Sequence, residues 1–293
     1  MTIARALLLY LACPQCGKNL KQQANNLICL NRHRFEIVNG IPVFHKTTGN
    51  IHHQHQERYF NNFYSQYDRL PKLNWHQSYW QNAAADLAIA PGKLFADIGT
   101  GTGWLAIEAA RAGCQVIAVD LTIDIIHRAK QFAQVEGVDE RILFVVADAE
   151  HLPLSSGVVD YLAAVALIEH LPNHRRAAAE FSRVLGKGGK LWVVAPNELS
   201  NQPLIFKLIF KFWDQMLGHF RHYSPASLEK LFKPFGFRKQ SVRYVGHLVK
   251  LWQFILQALL RNDRLWWYLD RFDRKQYDKP SSINVAVSFK KEH

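Results

Sequence analysis

The sequence predicts an α/β fold: a mostly parallel sheet with helices on both faces, an antiparallel last strand, helical cap insertions, and a small metal-bound ribbon ahead of it. Three observations predict it. From residue 93 onward, strand-like and helix-like segments alternate, as a parallel sheet wound through crossover helices requires. A glycine-rich turn, Asp97-Ile-Gly99-Thr-Gly101-Thr-Gly103, follows the first of those strands. Four metal-type ligands, Cys13, Cys16, Cys29 and His33, lie in the first 33 residues.

Composition sets the bounds. A chain of 293 residues, 48% of them hydrophobic, can build one large core with a small unit beside it. Four cysteines are too few for a secreted disulfide framework. No apolar run reaches the ~18 residues that a membrane span needs. The apolar stretch Ala6–Ala12 follows Arg5 like a short leader, but it runs straight into the cysteine motif. It is therefore read as the first element of the fold, and the compartment as cytoplasmic, where thiols stay reduced. The net charge of +12 favours an anionic partner, either nucleic acid or an anionic lipid surface, and does not choose between them.

Residues 1–46 are expected to form a separate unit. The frame C-x2-C-x12-C-x3-H offers three thiolates and one imidazole, a closed tetrahedral shell for zinc. A segment this small buries too little apolar surface to fold alone, so the metal is expected to supply the missing stability. Residues 47–92 read as a polar and aromatic linker or lid. Ile51-His-His-Gln-His55 is either a metal tract or three solvated histidines at the start of a helix. Aromatics at 59, 60, 63, 64 and 67 fall at helical spacing, which suits core or lid better than a base-stacking platform.

Residues 93–293 form the sheet domain. Strands are expected at 94–98, 115–119, 142–147, 158–167, 189–195, 238–245 and 282–290. Glycines at 99, 101 and 103 let the backbone approach a ligand where a Cβ would collide. Asp120, at the tip of the second strand, can accept hydrogen bonds from both hydroxyls of a ribose. The spacing G-x-G-x-G differs from the G-x-G-x-x-G of a dinucleotide fold, whose helix N-terminus faces a pyrophosphate. Asp97 beside the first glycine would repel phosphate and suit an ammonium group. Cys114 stands outside the metal set and reads as a small buried hydrophobe. Ser224 and Pro225 look like the N-cap and first residue of a helix.

This pattern resembles motif I of class I S-adenosylmethionine-dependent methyltransferases. Three further segments carry the resemblance: Val145-Val-Ala-Asp148-Ala149, the strand and loop Val159–His170, and the turn Arg183-Val-Leu-Gly-Lys-Gly188-Gly189. It implies a Rossmann-like methyltransferase sheet and S-adenosylmethionine as cofactor. Asp97, Gly99, Gly101 and Gly103 would hold the methionine end, Asp120 the ribose, and Asp148 with the Ala149 N–H the adenine. The cysteine frame resembles the N-terminal zinc ribbon of bacterial rRNA guanine-N1 methyltransferases. Phe35-Glu-Ile-Val-Asn-Gly40-Ile-Pro42-Val-Phe44 resembles the small zinc-ribbon proteins that partner methyltransferases.

On the acceptor side, the chain has Ala166-Leu-Ile-Glu169-His170 after the fourth strand, where enzymes acting on exocyclic base nitrogens carry an Asn-Pro-Pro-aromatic motif. Glu-His-Leu-Pro and Gly218-His219-Phe-Arg-His222 resemble instead methyltransferases of quinones, lipids and small molecules. His170, His219 and His222 are candidate bases near neutral pH, with Glu169 as a base or orienting residue. Two insertions, near 199–223 and 247–280, read as amphipathic helices with basic polar faces. Each suits a lid over a greasy acceptor, a peripheral contact with the inner membrane surface, or extra core and a dimer seam. The favoured function is methyl transfer to oxygen or carbon of a small or lipid-like acceptor. RNA methylation through the ribbon is the runner-up, and a non-catalytic cofactor-binding module the third reading.

Overall fold

The computed structural model describes residues 6–45, 74–198, 207, 214, 218–246 and 282–293. The histidine tract at 51–55, the aromatic segment at 58–67 and most of both insertions lie outside these residues. Lys207 and Asp214, both helical, are the described residues of the apolar segment 204–217.

The described strands join one eleven-stranded sheet. In chain order they are β1 Leu20–Gln23, β2 Asn26–Cys29, β3 Arg34–Val38, β4 Ile41–Val43, β5 Leu94–Ile98, β6 Gln115–Asp120, β7 Ile142–Val146, β8 Val159–Val165, β9 Leu185–Pro196, β10 Phe237–Val245 and β11 Asn284–Lys291. Their spatial order is β1-β2-β3-β4-β7-β6-β5-β8-β9-β11-β10. Strands β7-β6-β5-β8-β9 run parallel, and β11 enters antiparallel between β9 and β10. The order reverses between β5 and β8, which places a binding crevice at the carboxyl ends of those two strands.

The apolar pattern explains why both faces are covered. Along β5 the residues Leu94, Ala96 and Ile98 enter one core, while Phe95 enters the other. The period of two recurs in β6, where Ile117 and Val119 face one side and Val116 and Ala118 the other. The first core is closed by α4 (His174–Val184) and α5 (Pro225–Phe232), through Ala177, Phe181 and Phe232. The second is closed by α1 (Asn74–Leu87), α2 (Trp104–Arg111) and α3 (Ile123–Val135). Ser224 caps α5 as expected: its hydroxyl accepts from the Ser227 N–H, the Ser227 hydroxyl bonds back to the Ser224 N–H, and Pro225 stands in the first turn. Asp86 on α1 receives the Arg243 guanidinium of β10 at 2.7–3.0 Å, pinning that helix to the antiparallel edge. Cys114 is buried, as expected of a small hydrophobe.

Three strand ends moved by two residues or more. β11 begins at Asn284, later than the expected 282. β8 stops at Val165 because Ala166 turns into the left-handed region (φ 49°), short of the expected 167. β9 begins at Leu185, earlier than 189, since Gly186 and Gly189 let its first residues fold closely: a Cβ on Gly189 would stand 2.8 Å from the Gly186 carbonyl.

Residues 6–45 share a sheet and a core with the strands that follow. Val43 in β4 pairs parallel with Val146 in β7, and the Phe44 N–H donates to the Val146 carbonyl at 2.8 Å. Ala12 N–H donates to Pro153 O, and Ser155 N–H to Tyr10 O. Leu7, Leu11, Cys13, Leu27, Cys29 and Phe35 all belong to the first core. The open edge of β7 is the physical reason, since an unpaired parallel strand presents a row of free backbone groups that β4 and Phe44 partly take up. The segment Ala6–Ala12, read as part of the fold, accordingly forms a 3-10 turn over Leu7–Tyr10 with Leu7 fully buried. Among the described residues no helix is long and apolar enough to cross a membrane.

Candidate functional site

The glycine turn lies at the carboxyl end of β5. Gly99, Gly101 and Gly103 all have positive φ (73°, 53° and 76°), a region that L side chains avoid. Two of them are also places of close approach. A Cβ on Gly99 would meet Leu167 at 3.0 Å, and one on Gly103 would meet Ala129 at 3.1 Å. The turn is therefore pressed between the β8 loop and α3.

The acids stand around that turn. Asp97 is 2% exposed and accepts a 2.6 Å hydrogen bond from the Thr100 hydroxyl. Burial pushes its carboxyl up to about 7, against the pull of the Thr100 bond. Asp120 ends β6; its Oδ2 accepts from the Gly101 N–H at 3.0 Å and its Oδ1 from the Thr122 N–H at 3.3 Å. It too is raised, by burial first. Asp148 follows β7, with Oδ1 accepting from the Glu150 N–H at 2.8 Å and Oδ2 3.3 Å from His151 Nδ1. Ala149 beside it is buried. All three acids thus sit at the carboxyl ends of neighbouring parallel strands, on one rim of the sheet.

The four expected acceptor-side residues also come together. Glu169 and His170 lie on the loop after β8, His219 and His222 on the loop before α5. The Phe220 N–H donates to the Glu169 carbonyl at 2.8 Å, and the His170 and His219 rings meet edge to face at 4.7 Å. Glu169 is fully buried, and burial pushes its carboxyl up to about 8. Neither of its carboxylate oxygens has a hydrogen-bond partner among the described residues. Because Leu167 touches the Gly99 position, this loop abuts the glycine turn.

One residue of this cluster was missed. Asp214 Oδ1 lies 2.9 Å from His219 Nδ1 and its Oδ2 lies 2.8 Å from His222 Nε2. Burial alone would raise the Asp214 carboxyl, but the two imidazole hydrogen bonds outweigh it and hold the group at about 2. Burial disfavours the His222 charge, yet the Asp214 bond, the Asn197 carbonyl at 2.9 Å and nearby Glu169 carry its pKa above the ordinary imidazole value. The available signal was the spacing Asp214-x4-His219-x2-His222, in a segment otherwise read for its apolar arc.

In the ribbon, the expected ligands converge. His33 Nδ1 lies 3.3 Å from Cys13 Sγ and 3.5 Å from Cys29 Sγ, and Cys16 Sγ lies 3.7 Å from Cys29 Sγ. The four ligand atoms fall within 4.8 Å of one another, a set compatible with one tetrahedral ion. Burial pushes the Cys13 thiol up to about 11, so a bound cation is what would keep it a thiolate at neutral pH.

Residues 96–193 match the protein family described as "Methyltransferase domain". The match covers about a third of the chain. It spans the glycine turn, all three acids, and Glu169 and His170. Over 42% of its length the chain is 30% identical to the 27-O-demethylrifamycin SV methyltransferase of Amycolatopsis mediterranei, covering 52% of that protein. Over 47% it is 31% identical to the demethylmenaquinone methyltransferase of Porphyromonas gingivalis, covering 59% of it. The chain spans 37% to 59% of the length of the curated relatives it matches. Among solved structures, geranyl diphosphate C-methyltransferase from Streptomyces coelicolor is similar in fold, with a TM-score of 0.61 and 14% identity, covering 84% of this chain and all of that one. The mixed α/β, Rossmann-like fold is therefore one that solved methyltransferases share, with residues 6–45 joined at its β7 edge.

Proposed function

We propose that this chain transfers a methyl group from S-adenosylmethionine to an oxygen or carbon of a small or lipophilic acceptor. The observation that carries the reading is the joining of two sites: a glycine turn ringed by Asp97, Asp120 and Asp148, and an acid–imidazole cluster packed against it through Leu167 and Gly99. S-adenosylmethionine, bound there, supplies a methyl already activated on a sulfonium, so positioning is most of what the protein must add. Asp97, ionised, accepts hydrogen bonds from the ammonium; Asp120 receives the ribose hydroxyls; Asp148 and the Ala149 N–H meet the adenine edge. The glycine turn admits the methionine end where side chains would exclude it.

On the acceptor side, Glu169, His170, His219 and His222 orient the acceptor and take up its proton. An imidazole backed by Asp214 is suited to hold that proton. Zinc in the ribbon, held by Cys13, Cys16, Cys29 and His33, is structural in this account, since four protein ligands leave no open position.

Three observations favour a small or lipophilic acceptor over RNA. The β8 loop carries Glu-His, lacking the motif that grips a base amino group. Two similar curated proteins are by name methyltransferases of rifamycin and menaquinone precursors. The segments 199–223 and 247–280 are rich in apolar residues. Their basic residues and the +12 charge also suit a peripheral contact with an anionic membrane surface at the cytoplasmic side. The test is transfer of labelled methyl from S-adenosylmethionine to fractionated cell extract. Label extractable into organic solvent and resistant to ribonuclease supports the reading. Label confined to ribosomal or transfer RNA overturns it in favour of RNA methylation through the ribbon, and no transfer to any fraction favours a binding module.

A further inference from the structure

The acceptor-side cluster holds more acid and imidazole than one proton transfer uses. Glu169 is 0% exposed, and both its carboxylate oxygens lack a hydrogen-bond partner among the described residues. A buried carboxyl in that state stays neutral, and it ionises at low cost only when it is paired or binds a metal. One ligand atom each from Glu169, His170 and His219 falls within 4.8 Å of the others. Donor atoms about 2.0–2.2 Å from a tetrahedral ion stand about 3.3–3.6 Å apart, so the widest separation in the cluster would close by up to about 1.5 Å on binding.

The surroundings match a metal site. A ligating histidine almost always gives its other ring nitrogen to a carboxylate or carbonyl, which fixes its tautomer and direction. His219 has that arrangement, with Nδ1 2.9 Å from Asp214 and its side chain 13% exposed. The alternative trio of Asp214, His219 and His222 is closed on itself. Both Asp214 oxygens are already engaged by imidazoles, and His222 Nδ1 lies 2.9 Å from the Asn197 carbonyl. Asp214 therefore supports both imidazoles, His222 stays the Asp214-backed imidazole for the proton, and the open carboxylate is that of Glu169.

We infer that Glu169, His170 and His219 form a second metal site, separate from the cysteine ribbon, for one divalent first-row ion of the zinc, cobalt, iron(II) or manganese type. Two imidazoles with one carboxylate suit these ions; calcium and magnesium prefer all-oxygen shells, and copper(I) prefers sulfur. Three protein ligands leave the ion open positions. That an acceptor oxygen would occupy one of them rests on the proposed function; the binding of the ion does not.

The experiment titrates cobalt(II) into full-length protein whose ribbon already holds zinc, followed by visible absorption and calorimetry without S-adenosylmethionine. One additional cobalt per chain is expected, with ligand-field bands of a nitrogen–oxygen site and no thiolate-to-cobalt band. Glu169→Gln and His219→Ala should each weaken it at least tenfold, and Asp214→Asn by about 10–100-fold. Circular dichroism on the same samples checks folding, and His219→Ala, on a loop, carries the test if Glu169→Gln unfolds. No cobalt uptake by wild-type protein, or uptake unchanged in folded Glu169→Gln and His219→Ala, overturns the assignment. S-adenosylhomocysteine binding is measured in parallel: cobalt bound with S-adenosylhomocysteine rejected supports this site while overturning the cofactor reading.

Discussion

Replacing Asp97 by asparagine should move stability and cofactor affinity in opposite directions. The buried carboxyl is raised from 3.8 to about 7, with burial as the main cause. Between those pH values the folded state binds more protons than the unfolded state, so stability falls as pH rises through the window. Above pH 7 the full cost stands, about 4 kcal/mol at roughly 1.4 kcal/mol per pH unit. Asparagine has no such charge, but its buried amide carries a pH-independent cost of about 1–3 kcal/mol. The stability difference between Asp97→Asn and wild type should therefore shift in favour of the variant by about 3 kcal/mol between pH 5 and pH 8. Binding should respond the other way. Only the carboxylate pairs with the ammonium of the cofactor, and its ionised share climbs from about one-tenth at pH 6 to about nine-tenths at pH 8. Wild-type affinity for S-adenosylhomocysteine should rise about tenfold over that span. The variant should bind more weakly at pH 8, by the roughly 1.5–3 kcal/mol of a charge-assisted hydrogen bond, with a flat pH profile. Urea denaturation and titration calorimetry at the two pH values read both effects. A variant that is uniformly less stable and keeps wild-type affinity at pH 8 would refute the reasoning.

Two other outcomes follow from the same geometry. Gly99→Ala combines a positive φ with a 3.0 Å approach to Leu167, so it should destabilise the fold by about 1–3 kcal/mol and weaken cofactor binding, read by thermal melting and calorimetry. Metal analysis should find about one zinc held by Cys13, Cys16, Cys29 and His33; because the ribbon shares the first core, Cys16→Ser should lose that zinc and also lower the melting midpoint of the methyltransferase domain, whereas full zinc retention by Cys13→Ser/Cys16→Ser would rule the site out.

The parallel part of the sheet was legible because β5 and β6 alternate between two buried faces and the turn after β5 carries its glycines. The strands β5, β6 and β7 ended within a residue of expectation for that reason. Asp97, Asp120 and Asp148 were legible as acids at or beside strand ends. The docking of the ribbon was not. Nothing in Ile41-Pro-Val43 states that its backbone will pair with Val146, more than a hundred residues away, because hydrogen bonds between strand edges leave no composition signature. The convergence of His170 with His219 was suggested by residue type alone; the contact depends on how two loops meet above the sheet. Asp214 was hidden because its segment was read for hydrophobicity, while its role depends on histidines in the next turn of chain.

A crystal structure with S-adenosylhomocysteine tests the central claim most directly. The account predicts its ammonium against Asp97, its ribose on Asp120, its adenine edge at Asp148 and Ala149, and its sulfur directed at an enclosed pocket bordered by Leu167, Glu169, His170 and His219. A sulfur opening onto a broad basic groove, or a ligand seated away from the glycine turn, would contradict it.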